Sequence, residues 1–314
     1  MIIKRRNEMT IMRSFREYKK SYKNYLSVIL YVYLRKEIIN VIFKDGHREM
    51  LNIEYVTLLA HLINRGPIWK NFLDFINKQR LEIKPKSIKS HEIIKLFVEN
   101  EFGVKLDTRE GVGDWVAVYL DEQYKWLNPD NHIVVDIGGE VGDSAIYFAL
   151  KGAKKVIVVE PFPNNFQYIK KNIENNGFFG KILPINAMIG GTIKATHINI
   201  PDQFIVKDAE ESTEGFEINM ITLSKIIDDY KIDDALLKMD CEGCEYDSIL
   251  NEPRETLRKF KRILIEYHYG YKKLKKHLEM VGFNVKYTKP KKGYNRDAEN
   301  PKLKIGYIFA EYSK

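Results

Sequence analysis

The sequence predicts an α/β protein built on a mostly parallel sheet, and three features carry that expectation. From about residue 113 onward, short apolar runs alternate with segments whose apolar residues fall at helical spacing. The runs IVVDI (133–137) and VIVVE (156–160) are apolar almost throughout, as strands covered on both faces are. A glycine-rich turn, GGEVG (138–142), joins the first of these runs to the helical segment after it.

Taken in order, residues 1–43 read as helix, with a basic first half and an apolar second half. VIFKDGHREML follows, and Asp45-Gly46 between β-prone arms predicts a hairpin. IEYVTLLAHLI (53–63) is apolar at helical spacing and is broken by Gly66-Pro67. IIKLFVENEFGVKLD (93–107) reads as a second hairpin around Gly103. Residues 1–112 are thus expected to be a mixed α/β accessory region, and 113–314 the main domain. In the latter, WVAVYL (115–120) reads as a strand. Strands are then expected at 133–137, 156–160, 182–188, 235–240 and 262–268, with helices at about 143–151, 163–176, 222–230, 244–260 and 271–280. FNVKYTKP (283–290) and LKIGYIFAEY (303–312) have no helix between them, which predicts an antiparallel pair closing the sheet.

The 314 residues suffice for one large α/β domain plus an accessory region. The net charge of +8 is uneven: residues 1–24 carry +6 and residues 271–304 carry +8, leaving −6 elsewhere. Basic ends can attract nucleic acid or an anionic membrane surface, although solvated helix faces account for them equally simply. Cys241 and Cys244 do not make an extracellular disulfide framework, so a reducing interior is expected. The ten apolar residues of YLSVILYVYL (25–34) fall short of the roughly 20 that a membrane span needs. The sequence therefore reads as soluble and cytoplasmic, with peripheral membrane contact still open.

The turn after the first main strand suggests a ligand. In an open parallel sheet, ligands bind beyond the carboxyl ends of the strands, near the switch in strand order. Asp136, Gly138, Gly139 and Gly142 fall there. A dinucleotide would call for G-x-G-x-x-G, whereas this chain has G-G-x-x-G with an acid two residues before the first glycine. A carboxylate there repels a diphosphate and suits an ammonium. S-adenosylmethionine (SAM) offers an ammonium and a ribose diol, and Glu160 at the end of the next strand can accept from the diol. Phe162 either packs on the adenine or fills a turn, and Asn186 either pairs with the adenine edge or serves its own turn.

Further on, LLKMDCEGCEYDSIL (236–250) places Asp240, Glu242 and Glu245 just past another strand, and ILIEYH brings Glu266 and His268 to the tip of the next. With these segments on the page, the chain resembles the FkbM family of SAM-dependent methyltransferases. The likeness is carried by VVDIGGEVGDSAIYFA, VIVVEPFPNNFQYIKKNIENNG, INAMIGG, ITLSKII, LLKMDCEGCEYDSIL and ILIEYH, in that order, over about 113–312. It implies a Rossmann-like class I methyltransferase sheet of strand order 3-2-1-4-5-7-6 with the last strand reversed. It also implies that Asp136, Gly138 and Gly142 line the methionyl pocket, Glu160 holds the ribose, and Asn186 with Ala187 flank the adenine. Gly139-Glu140 departs from the family, which commonly has Ala-Asn there, and this puts an extra acid near the cofactor.

A hydroxyl acceptor needs its proton taken, and Asp240, Glu242 and His268 are the candidate bases. Glu245 reads as an acid opening a helix. Cys241 and Cys244 read as small packing residues, since neither a second ligand pair for zinc nor a thioredoxin-like context accompanies them. No metal is assigned, although Asp240 and Glu242 could hold a divalent cation. D-C-E-G stands where methyltransferases of base or amide nitrogens carry an N-P-P-Y-type segment, which favours an oxygen acceptor. The family likeness suggests a sugar, glycolipid or other hydroxylated metabolite. The alternatives are an RNA methyltransferase that grips phosphates with the basic ends, and a non-catalytic SAM-binding module. The acidic stretch 201–217 reads as a lid or a solvated loop, and its charge disfavours nucleic acid at that mouth.

Overall fold

The computed structural model describes residues 15–64, 66–79, 90–108, 114–190, 195–198, 216–290 and 303–312. The chain forms two compact units, one of residues 1–104 with 115–121 and the other of 105–114 with 122–314.

The first unit begins with a helix over residues 15–21, then α1 (Tyr25–Tyr33). The hairpin β1 (Ile38–Ile42) and β2 (Arg48–Asn52) follows, then α2 (Ile53–Ile63), α3 (Ile68–Gln79) and α4 (Ser90–Phe102). The hairpin at Asp45-Gly46 and the helix over 53–63 form as expected. Three expectations fail. Of the helix expected over 1–43, residues 1–14 lie outside the described residues, 15–21 and Tyr25–Tyr33 are separate helices, and β1 begins at Ile38, where burial alternates along the strand. The expected second hairpin is α4, because Ile93 and Phe97 lie one helical turn apart and both enter the core. WVAVYL is a π-helical turn (Val116–Leu120) rather than a strand. Its buried Trp115, Val118 and Tyr119 follow helical spacing, and apolar β-branched composition alone does not separate the two. On α1, Val28 is buried while Leu26, Leu30 and Tyr33 are exposed. No described helix is long and apolar enough to cross a membrane.

The second unit carries the parallel sheet. Its elements are β3 (Ile133–Ile137), α5 (Asp143–Leu150), β4 (Lys155–Val159), α6 (Pro163–Asn175) and β5 (Ile182–Ile185). Next come β6 (Met188–Ile189), β7 (Ala195–Ile198), β8 (Phe216–Ile221), α7 (Leu223–Asp229) and β9 (Ala235–Met239). The unit ends with α8 (Glu245–Asn251), α9 (Arg254–Leu257), β10 (Phe260–Tyr267), α10 (Lys272–Val281), β11 (Phe283–Tyr287) and β12 (Gly306–Tyr312). The seven-stranded order β11-β12-β10-β9-β3-β4-β5 is the expected 3-2-1-4-5-7-6 read from the other edge. β12 runs antiparallel to both neighbours and the remaining pairs are parallel. Every residue of β9 and all but the first of β3 are buried, as central strands covered on both faces should be.

Two departures concern the strand edges. The apolar run 182–188 splits at Asn186, so that Met188–Ile189 leaves the main sheet and pairs with β8 in a separate three-stranded sheet. The helix expected over 244–260 breaks into α8 and α9 at Pro253, which cannot donate to a continuing helix, and β10 begins at Phe260. The proposed lid over 201–217 lies outside the described residues except at its last two positions, which open β8.

A candidate active site at the carboxyl edge of the sheet

β3 lies between β9 and β4, so the loops after these strands meet at one edge. The contact is intimate. A Cβ built on Gly138 would stand 1.8 Å from the carbonyl oxygen of Asp240, and the glycine has φ +77. Only glycine allows the loop after β3 to approach the loop after β9 this closely. Gly139 packs beneath on Val158, and Gly142, at φ +88, opens α5.

Asp136 is fully buried, and its carboxylate faces inward. It meets the Lys238 ammonium at 3.0 Å and accepts from Ser144 Oγ at 2.6 Å. The charge expected to face a ligand's ammonium is here answered by a buried lysine. Lys238 is the residue that the sequence reading missed, although a lysine inside ALLKMD was the available sign. Its Nζ also donates to the carbonyls of Gly138 at 2.6 Å and Ile137 at 3.3 Å, bracing the glycine loop from below. Burial works against its charge, but the neighbouring carboxylates, Asp136 first, hold its pKa above the ordinary lysine value. Asn172 was missed as well. It is fully buried on α6, and its amide donates to the Val141 carbonyl at 2.8 Å, tying the loop to that helix.

Glu160 is 3% exposed. Its carboxylate accepts from the backbone amides of Glu140 at 2.9 Å and Phe162 at 3.0 Å, and from the Asn165 side chain at 3.3 Å. It therefore ties the loop after β3 to the loop after β4. Burial raises its pKa to about 7, against the opposing pull of those donors. Asn186 donates its side-chain amide to the carbonyls of Glu160 and Pro161, at 2.8 and 3.0 Å, which is the turn role weighed for it. Ala187 is buried beside it, and Phe162 is half-buried.

Asp240, Glu242 and His268 come together. His268 Nε2 lies 3.3 Å from Glu242 Oε2 and 3.9 Å from Asp240 Oδ1. Glu242 reaches this position from a left-handed backbone at φ +57. Behind the imidazole, Glu245 is fully buried and its Oε1 meets Nδ1 at 2.5 Å. Glu245 does open α8, as expected, but its carboxylate serves His268 too. Burial works against the imidazolium, yet the bond to Glu245 and the charges of Glu245, Asp240 and Glu242 raise its pKa to about 10. His268 is thus held in its protonated form, facing Asp240 and Glu242. Glu266, two residues earlier on β10, hydrogen-bonds to Tyr307 of β12.

Cys241 and Cys244 are joined by a disulfide, not packed as free thiols. The tight turn into α8 brings their Cα atoms to 5.6 Å, within bridging distance, which spacing alone did not reveal.

A seven-stranded sheet of this order, with a glycine loop and acids at its carboxyl edge, defines a Rossmann-like class I methyltransferase. Residues 136–294 match the model of the methyltransferase FkbM domain, and the chain belongs to that family. No curated protein matches the sequence. Among solved structures, the chain is similar to the METTL16 methyltransferase domain, at 12% identity and a TM-score of 0.45, covering 94% of this chain and 97% of that one. It is also similar to the methyltransferase FkbM from Methylobacillus flagellatus KT, at 17% identity and 0.40, over 77% of this chain and 59% of that one. A third is M. jannaschii TYW2 in complex with AdoMet, at 18% identity and 0.36, over 67% and 82%. S-adenosylmethionine is the cofactor that the family implies.

Proposed function

We propose that this chain methylates a hydroxyl group on a sugar, glycolipid or other small metabolite, with SAM as donor. The observation that carries the reading is the group of Asp240, Glu242 and His268 beside the glycine loop. The loop suits the donor: the glycine turn 138–142 and the carboxylate of Glu160 border the same edge. When bound, SAM supplies an electrophilic methyl group on a sulfonium. Gly138, Gly139 and Gly142 would then line its methionyl part and Glu160 its ribose, with Phe162, Asn186 and Ala187 toward the adenine. Asp136 contributes indirectly, by holding Lys238 under the loop.

Displacement at a methyl group is in-line, so most of what a protein supplies is alignment. The remaining need is to take the hydroxyl proton as the new bond forms. Asp240 or Glu242 is suited to accept it, and the nearby His268 cation, held by Glu245, is suited to stabilise negative charge on the oxygen.

The test is incubation of the chain with methyl-labelled SAM and separated glycan, lipid, small-metabolite and RNA fractions. Label in a hydroxylated non-nucleic fraction is expected, and label in RNA alone would overturn the acceptor class. Asp240→Asn and Glu242→Gln should lower kcat about 10²–10⁴-fold while SAM affinity measured by calorimetry stays within twofold. Unchanged turnover in both would remove these carboxylates as the base, and SAM binding without turnover in the unaltered chain would leave a binding module.

A further inference from the structure

We propose that Asp240, Glu242 and His268 form a binding site for one divalent cation. One donor atom from each lies within 4.8 Å of the others. Around an ion bonded at about 2.0–2.2 Å, neighbouring donors stand about 3–4 Å apart. The separations from Nε2, 3.3 Å to Glu242 and 3.9 Å to Asp240, already lie in that range.

The backbone presents these groups from two directions. β9 and β10 are parallel neighbours, paired as far as Met239 and Ile265, so Asp240 and His268 emerge from the same sheet edge. Glu242 is turned toward them by its left-handed conformation, in a loop closed by the Cys241–Cys244 bridge.

A second observation lies behind the imidazole and is independent of the two acids. His268 is 2% exposed, and its Nδ1 faces the fully buried Glu245 carboxylate. A carboxylate on one ring nitrogen fixes the tautomer, and it directs the other nitrogen outward in the manner of a metal-ligating histidine. That other nitrogen faces the two remaining carboxylates. Three carboxylates therefore surround a single imidazole, and a divalent cation would take the place of the proton on Nε2. One nitrogen and two carboxylates suit Mn²⁺ or Zn²⁺ better than Ca²⁺, which prefers oxygen alone. Three protein donors also leave positions for oxygen ligands, water or an acceptor hydroxyl. The inference revises the hydroxyl-methylation reading, since with the ion bound the ion rather than the His268 cation stabilises charge on the acceptor oxygen, and it rests on that reading only for that use of the open positions.

The experiment uses the full chain freed of metal by chelation and titrated with MnCl₂ alone, with free Mn²⁺ followed by electron paramagnetic resonance. A parallel calorimetric titration uses ZnCl₂. Neither SAM nor an acceptor is present, so a failure of the methylation reading leaves this result untouched. One saturable site per chain is expected. Asp240→Asn and His268→Ala should remove it, and Glu245→Gln should weaken it about 10–100-fold. Circular dichroism and an unchanged urea unfolding transition would show that each variant is folded. Absence of saturable binding of both ions overturns the proposal. So does binding that survives intact in folded Asp240→Asn and His268→Ala.

Discussion

Lys238 and Glu160 show how much of this site consists of charge placed where water is excluded. Lys238 and Asp136 are both essentially buried, so removing one leaves the other uncompensated. Lys238→Met should cost about 3–5 kcal/mol in urea unfolding. The double variant Asp136→Asn, Lys238→Met should recover much of that loss, and an unchanged midpoint for the single variant would remove the bracing role. Glu160 gives a pH prediction. Its native pKa of about 7 exceeds the ordinary 4.5, so the folded chain retains a proton that the unfolded chain has already released. Its contribution to stability is therefore greatest below about 4.5 and declines as pH rises toward 7. Donor binding should move the other way, because an ionised carboxylate accepts more strongly from ribose hydroxyls. SAM affinity is expected to increase as pH rises through about 7, and Glu160→Gln should flatten that profile in a calorimetric series. Residue identity made Glu160, Asp240, Glu242 and His268 legible as site candidates, but partnership was not legible. Nothing in the string shows that Asp136 looks inward to Lys238, a residue 102 positions later, or that Glu245 stands behind His268.

Among elements, the parallel strands were readable because burial on both faces demands nearly continuous apolar runs, broken in β3 and β9 only by the paired Asp136 and Lys238. The same property misled at Trp115–Leu120, where an apolar β-branched run forms a π-helical turn. Short apolar segments carry too few residues for their period to be decisive. α4 was missed for a related reason, since Gly103 drew attention to a turn that lies just past its end at Phe102. The three-stranded sheet of β6, β7 and β8 depends on pairing between segments far apart in the chain, which local pattern does not encode.

For the whole molecule, the chain divides into two compact units. Scanning calorimetry should resolve a transition for each, and SAM should raise the one belonging to residues 105–114 and 122–314. At one hundred times its dissociation constant, the ligand would add about 2.7 kcal/mol to that unit. A single transition moving as a whole would show that the units melt together. The missing side chain of Gly138 has a wider consequence. Because the glycine loop proposed to hold the donor lies against the Asp240 carbonyl backbone to backbone, the two halves of the proposed reaction would share one piece of scaffolding. Attempts to retrain the enzyme for a new acceptor by altering 240–244 will perturb its hold on the donor, and the reverse. New acceptor preferences are better sought in side chains that stand clear of that joint.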